Sequence, residues 1–531
     1  MKSSGWTVTV LLLFVYMLTL APGVTLWDSG EFLAAMHSLG IPHPPGTPLY
    51  VLLGKVWSII FAGVFGFARS INLLSAVCTA AGCGLLASLF DRWTGDGLGA
   101  TAAGITAGLM STVWLSATET EVYAVALFFG CLIIWAADRA GENSDARWAV
   151  LVAYLAGLGW SLHLMALLVV PSAIFLVFTT RDGYFAGPTG RRHADGRRES
   201  HSPSGLIRSS IVVALIGMTC VLFMLIRARH DPAINQGNPS TWHALLDVVL
   251  RRQYDVAPLW PRQAPLYLQL GNLFEYADWQ FALGLAPDAP PSLWRTPITV
   301  IYAMLGVFGF VAHRNADRRS WRALALLFLV ASLGVVVYLN LKAGPSFGAG
   351  FLSANALHEP RERDYFFFFA FLCWGLWAGF GAIRLSRSRR SAVTGVALLL
   401  PFLPVVMNWS AVDRRTDPVD VRARTNAFDI LDNVPPTGVM LAFGDNDTYP
   451  LWYLQQVEGL RKDVTVVTVP LLAAKWYRAE LARRYKLLDS ITVENWIGAD
   501  RTVQILTKRS YEQVRPVVRS PFFARDSMSS K

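Results

Sequence analysis

Apolar runs close to membrane-spanning length recur along most of the chain, each followed by a short polar break. The first covers Trp6 to Leu26. Others cover about Ile71 to Phe90, Leu98 to Leu115, Val122 to Ala137, Trp148 to Trp160, Leu162 to Phe178, Leu206 to Ile226, Pro297 to Ala312, Trp321 to Leu341, Tyr365 to Ile383 and Ala392 to Trp409. Each approaches the ~20 apolar residues that a helical bilayer crossing needs, so the pattern predicts eleven transmembrane helices. Leu49 to Phe67 is apolar enough for a twelfth, but Lys55, Trp57 and the aromatics around them also suit a helix lying at the interface. The first run reads as an anchor rather than a signal peptide, because Ala21-Pro22-Gly23 leads into more apolar sequence instead of a small-residue cleavage site.

Loop charge orients the spans. Arg181 to Arg208, His313 to Arg322 and Arg384 to Arg390 are arginine-rich and belong on the cytoplasmic side. Counting back from them puts Thr118 to Tyr123, the turn at Ser161, Lys342 to Asp364 and everything after Trp409 outside. If Leu49 to Phe67 lies in the interface, Leu26 to Tyr50 is outside as well. That reading is preferred because it gathers every unusual polar motif on one face. Loop Ala228 to Leu293 is too long for the charge rule and is expected to form a lid or interface helices.

Composition agrees with a membrane protein: 53% of residues are hydrophobic, 16% are charged, and the mean hydropathy is +0.39. The net charge of +10 resides largely in arginine-rich loops, so it does not indicate a nucleic-acid partner. The five cysteines lie in apolar runs without metal-ligand spacing, which predicts packing residues and no disulfide framework. Beyond Trp409 the pattern changes. Val439 to Phe443 reads as a buried strand, Gly444 to Asp447 as a turn, Thr448 to Glu458 as a helix, Val464 to Val469 as a second strand and Lys475 to Tyr485 as a helix. This alternation predicts a small α/β domain with a parallel sheet. The expected fold is thus an all-α membrane domain over residues 1–410, with about eleven transmembrane helices and one interfacial helix, followed by an extracytoplasmic α/β domain over 411–531.

Charged groups beside a membrane boundary are costly, which makes them functional candidates. In W-D-S-G-E-F, Asp28 and Glu31 share one face of a helix starting near Ser29. They could be an N-cap and its reciprocal partner, or a general base and its neighbour. I-P-H-P-P-G-T-P fixes His43 in a proline-rigid loop, where it could donate to a phosphate or hydroxyl. Glu119, Glu121 and Tyr123 in E-T-E-V-Y suggest acceptor positioning or metal ligation, and His163 sits in an apolar setting near the same face. Arg361 and Arg363 in R-E-R-D-Y offer the fork that binds phosphate, unless internal ion pairs occupy them. Asp445, Asn446 and Asp447 follow a strand end, where open α/β sheets bind ligands; turn and cap roles are equally open to the two aspartates.

Taken in order, W-D-S-G-E-F, I-P-H-P-P-G-T-P-L, E-T-E-V-Y-A, R-E-R-D-Y and G-D-N-D-T-Y-P-L-W-Y resemble the family of multispanning proteins that includes the eukaryotic transmembrane protein O-mannosyltransferases. The resemblance runs from about Leu26 to Pro470. It implies a GT-C glycosyltransferase with an external site, a polyprenyl-phosphate sugar donor, inverting displacement and an acidic catalytic residue at Asp28, with Glu31 beside it. Its implied partners are the bilayer, the lipid-linked donor and an external acceptor, whether protein or glycan. Mannose is one candidate sugar, and metal dependence is left open. The competing classes are a transporter or lipid flippase, which predicts charges at mid-span and an internal repeat, and a non-catalytic scaffold or sensor.

Overall fold

The computed structural model describes residues 1–143, 145–180, 190–192, 198–200, 203–254, 257–287, 291–347, 352, 356–388 and 397–521. Helices α1 (Ser3–Thr19), α2 (Ser29–Ser38), α3 (Pro48–Phe65) and α4 (Phe67–Thr94) set the frame. α1 and α4 lie antiparallel. Lys2 and Ser4 reach Asp91 near the end of α4 at 2.9 and 2.7 Å, while Asn72 near its start donates to the Ala21 and Gly23 carbonyls at 3.0 and 2.9 Å. Gly5 and Gly84 allow this approach: a Cβ on either would stand 2.5 or 2.6 Å from the other's carbonyl oxygen.

That pairing decides the uncertain segment. α3 has 18 residues with a mean hydropathy of 1.7, enough by length and composition to cross a membrane. Yet α1 arrives at, and α4 departs from, the same end of the bundle, so α3 adds no crossing. It is held at that end, with Lys55 Nζ donating to the His37 carbonyl at 2.8 Å and Trp57 Nε1 to that of Ser70 at 2.7 Å. Val56, Ile59, Ile60 and Val64 point outward, as an interfacial helix requires.

After α4 the chain runs through the bent pair Gly97–Gly108 and Ser111–Ala117, then Val122–Asn143, Ala146–Leu162, Leu164–Phe178, Ser204–Ala228, Thr296–Ala316, Arg318–Leu339, Asp364–Arg387 and Ala397–Val412. With α1 and α4 these are the eleven segments that the hydropathy pattern predicts. The run from Leu98 to Leu115 is not straight but bends by 72°, and Ser111 N donates across the break to the Gln280 carbonyl at 2.9 Å. Arg92 and Arg319 converge on Asp138 at 3.1 and 2.7 Å, and Arg387 meets Asp96 at 2.6 Å. These pairs lie at the end of the bundle opposite Asp28. Most of the loop at 181–208, the tip of the loop at 384–390 and the start of the Ala392 run lie outside the described residues.

The loop after Ala228 contains helices Trp242–Val249 and Leu266–Asp278. A short antiparallel pair, β1 (Gly190–Arg192) and β2 (Arg198–Ser200), lies in the loop before Pro203. The C-terminal unit is built on β3 (Val439–Ala442), β4 (Thr465–Thr468) and β5 (Val517–Arg519) in the order β4-β3-β5, with both outer strands parallel to β3. Central β3 is buried throughout, as a doubly covered parallel strand should be. Two features differ from the expectation. β5 joins the sheet from residues whose short V-V-R run carries little pattern, and G-D-N-D is no turn: the helix begins at Asp445 and runs to Gln456, with Gly444 as its extended N-cap. Asp445 and Asp447 in its first turn favour that start, because carboxylates suit the positive end of the helix dipole.

This helix packs directly on α2. Gly30 has no room for a side chain: a Cβ would stand 2.5 Å from the Tyr449 carbonyl oxygen and 2.9 Å from Pro450 N, both backbone atoms. Gly30→Ala is therefore expected to lower stability by about 1–3 kcal/mol through overpacking, read as a lower thermal midpoint in detergent. An unchanged midpoint would mean that the two helices separate freely.

Candidate functional site

Asp28 stands at the N-cap position of α2, but its side chain caps no backbone N–H, so the helix-cap explanation of the Asp28/Glu31 pair fails. The Asp28 carboxylate instead accepts from Arg361 Nη2 at 3.2 Å, and is 9% exposed. Arg361 is fixed from two sides. Its guanidinium carbon lies 5.0 Å from the Trp27 ring centre and 4.8 Å from that of Tyr365, and its Nε donates to the Tyr365 hydroxyl at 3.0 Å. Trp27 holds a left-handed backbone, φ +57°, which is costly for a bulky residue. Its N–H donates to Asn446 Oδ1 at 2.5 Å, tying the C-terminal unit to this turn.

Glu31 is fully buried and faces the proline loop. It accepts from the His43 backbone N–H at 2.8 Å, contacts His43 Nδ1 at 2.5 Å and accepts from Gln236 Nε2. Burial raises the Glu31 carboxyl above its ordinary range, with His43 working in the opposite direction. Burial alone would lower His43, but the Glu31 carboxylate outweighs it and pushes the imidazole up to about 9. At neutral pH His43 is therefore held as imidazolium against Glu31. Raising the pH through about 9 removes the His43 proton and with it the pairing. A function that depends on this loop should fall along an alkaline limb near that pH, and in Glu31→Gln the limb should move to lower pH, because the charge that holds the proton is gone. A pH profile with the limb unmoved would dissociate the pair from the activity.

Glu119 accepts from Thr25 Oγ1 at 2.7 Å and from Arg414, and burial pushes its carboxyl up to about 7. Glu121 is buried with Oε2 unpartnered among the described residues, and its carboxyl is raised by burial and then by Asp28 and Glu119. Tyr123 stacks on Tyr365 at 4.8 Å and meets His163 edge-on at 5.1 Å. His163 Nδ1 accepts from Met165 N at 3.2 Å, capping the next helical turn. Arg363 donates to the Tyr365 hydroxyl at 2.6 Å and to Glu359 at 3.4 Å.

Asp445 lies near Asp28 at the rim of the site, where partial desolvation and then the Asp28 charge raise its carboxyl. Asp447 serves its own unit, accepting from Phe443 N at 2.8 Å and from the Ser520 hydroxyl. The Asp28 end therefore brings together Asp28, Glu31, His43, Glu119, Glu121, Tyr123, Arg361, Asp445 and Asn446, whereas Asp447 turns inward. Among the described residues no cluster of three or more His, Cys, Asp or Glu side chains is disposed to hold a metal ion.

Sequence reasoning missed Trp27, Gln236, Tyr365 and Arg414. Trp27 and Tyr365 lie inside quoted motifs and could have been read as partners for Arg361. Arg414 follows directly on the last span. Gln236 sits in a long loop without periodicity and carries no signal. A cavity of about 190 Å³ lies between Ala233–Gln236 and the C-terminal unit, and Gln236 links it to the site.

Among the described residues, eleven apolar segments, an interfacial helix and a polar site capped by a small α/β unit define a multispanning membrane protein of the GT-C fold. Crystal structures of ArnT from Cupriavidus metallidurans share it: the form bound to undecaprenyl phosphate aligns over 97% of this chain and 90% of that one with a TM-score of 0.50 and 11% identity, and the apo form over 89% and 91% with 0.53 and 12%. In sequence the chain is similar to the TMEM260 family over two stretches. Residues 28–184 match the Protein O-mannosyl-transferase TMEM260 N-terminal domain, and 423–504 match TMEM260-associated domain 2. Protein O-mannosyl-transferase tmem260 of Dictyostelium discoideum is 21% identical over 87% of this chain and 57% of its own length; the Mus musculus protein is 24% identical over 88% and 63%. The chain thus spans about three fifths of the length of these curated relatives.

Proposed function

We propose that this protein is an integral-membrane glycosyltransferase that moves a sugar from a polyprenyl-phosphate donor to an external acceptor, a protein hydroxyl, by inverting displacement. The carrying observation is the Asp28–Arg361 pair, drawn from distant parts of the chain and fixed between Trp27 and Tyr365 at one end of the bundle. The names of the TMEM260 relatives and the lipid phosphate bound by ArnT support the same reading. Asp28 takes the proton from the acceptor hydroxyl as its oxygen attacks the anomeric carbon. The bond from that carbon to the phosphate oxygen breaks, the lipid phosphate leaves with the electron pair, and arginine charge at this end stabilises it. Mannose is the proposed sugar.

The site faces outward on this reading, because Arg314, Arg318, Arg322, Arg384 and Arg387 collect at the opposite, cytoplasmic end. The division into a membrane domain over 1–410 and an extracytoplasmic α/β domain over 411–531 is part of the proposal. Purified protein incubated with polyprenyl-phosphate mannose and unfolded acceptor peptides should yield mannosylated serine or threonine. Movement of intact donor between leaflets without transfer would favour a flippase instead.

A further inference from the structure

Arginines at the Asp28 end are mostly occupied. Arg361 pairs with Asp28, Arg363 with Glu359, Arg414 with Glu119 and Arg252 with Asp247. Arg251 differs: its side chain makes no ion pair or hydrogen bond among the described residues, and its Nε is buried without a partner. It lines a small cleft open to the surface, and Thr47, whose buried hydroxyl is also without a partner among the described residues, lines the same cleft. The remaining wall is mainly apolar, with Pro45, Pro48, Trp160, Leu164, Val221 and Val249.

The cleft adjoins the site on two sides. Pro45, Thr47 and Pro48 continue the loop that presents His43, and Trp160 and Leu164 flank His163. Tyr254, three residues beyond Arg251, lies within electrostatic reach of Glu31, Asp28 and Asp445. A half-buried guanidinium and an unpaired hydroxyl lining one mainly apolar cleft suit an anion that carries an aliphatic tail.

We propose that Arg251 and Thr47 hold the phosphate of the polyprenyl-phosphate donor, with the apolar wall taking its first isoprene units. This leaves Arg361 to position Asp28 and removes Arg363 from phosphate binding. The inference rests on the glycosyltransferase reading but is separable from it. Full-length protein in nanodiscs is titrated with undecaprenyl phosphate, and transfer is assayed in parallel. Arg251→Gln should weaken undecaprenyl-phosphate binding at least about tenfold, the loss of one charge-assisted contact. It should raise the donor KM by a similar factor, while Arg251→Lys recovers part of both and Arg363→Gln leaves binding near wild type.

Thermal midpoints confirm that each variant is folded, and Thr47→Val, which keeps the side-chain shape, gives a second reading if Arg251→Gln is not. Wild-type transfer together with unchanged binding in Arg251→Gln and Thr47→Val would overturn the inference and leave the function standing. Wild-type protein that neither binds undecaprenyl phosphate nor transfers sugar would overturn both. Equal competition by phosphatidylglycerol would assign the cleft to bulk lipid and overturn the donor assignment alone.

Discussion

Asp28→Asn is expected to lower sugar transfer by about 10²–10⁴-fold, the range for losing a positioned general base, with the fold preserved. The fold should survive because Asp28 caps no helix N–H and its side-chain hydrogen bond from Arg361 needs only an acceptor oxygen that an amide retains. The acceptor hydroxyl, by contrast, loses the group that takes its proton. Donor KM should change little, because the lipid phosphate is held elsewhere. Transfer kinetics at saturating donor, paired with a thermal midpoint, check this. Full activity in a folded variant would remove Asp28 from the chemistry.

The second large effect lies at the junction between the membrane domain and the C-terminal unit. Arg414 donates to the Glu119 carboxylate and to that of Asp420 at 2.5 Å, and its backbone N–H donates to the Thr19 carbonyl at 3.2 Å. Glu119 and Arg414 are each nearly buried, so Arg414→Met strands two carboxylates and should cost about 3–5 kcal/mol. The sign of the pH dependence follows from Glu119, whose carboxyl already stands near 7 through burial despite Arg414. Without the guanidinium it rises further, so the penalty should be largest at alkaline pH and shrink as the pH falls and Glu119 takes a proton. Denaturation in detergent across pH would show this, and the double variant Arg414→Met, Glu119→Gln should recover part of the loss. A pH-independent loss in the single variant would assign the effect to packing.

Much of the membrane architecture was legible because hydropathy acts over whole segments: each of the eleven apolar runs has a helix or bent helix pair among the described residues. Loop-charge parity also placed α3 correctly, where its own length and composition alone favour a crossing. The 72° break between Gly108 and Ser111 was not legible, since it depends on a contact with Gln280 far along the chain. In the C-terminal unit β3, β4 and the helix Lys475–Tyr485 followed from alternation, whereas β5 is defined by pairing with β3 across a long separation. At the site, motif residues could be gathered on one face, but not matched as partners. Nothing local indicates that Asp28 faces Arg361, that Glu31 is shared by His43 and Gln236, or that Arg251 Nε is buried without a partner among the described residues.

The central claim is that Asp28 is the group beside the reacting sugar. It is tested most directly by a density map of the Asp28→Asn protein with polyprenyl-phosphate mannose bound. The account predicts the side chain at position 28 about 5 Å from the anomeric carbon, room for one acceptor hydroxyl at the near-attack distance of about 3–3.5 Å, with the phosphate in the Arg251 cleft. A sugar seated in the cavity beside Gln236, with nothing next to position 28, would contradict it.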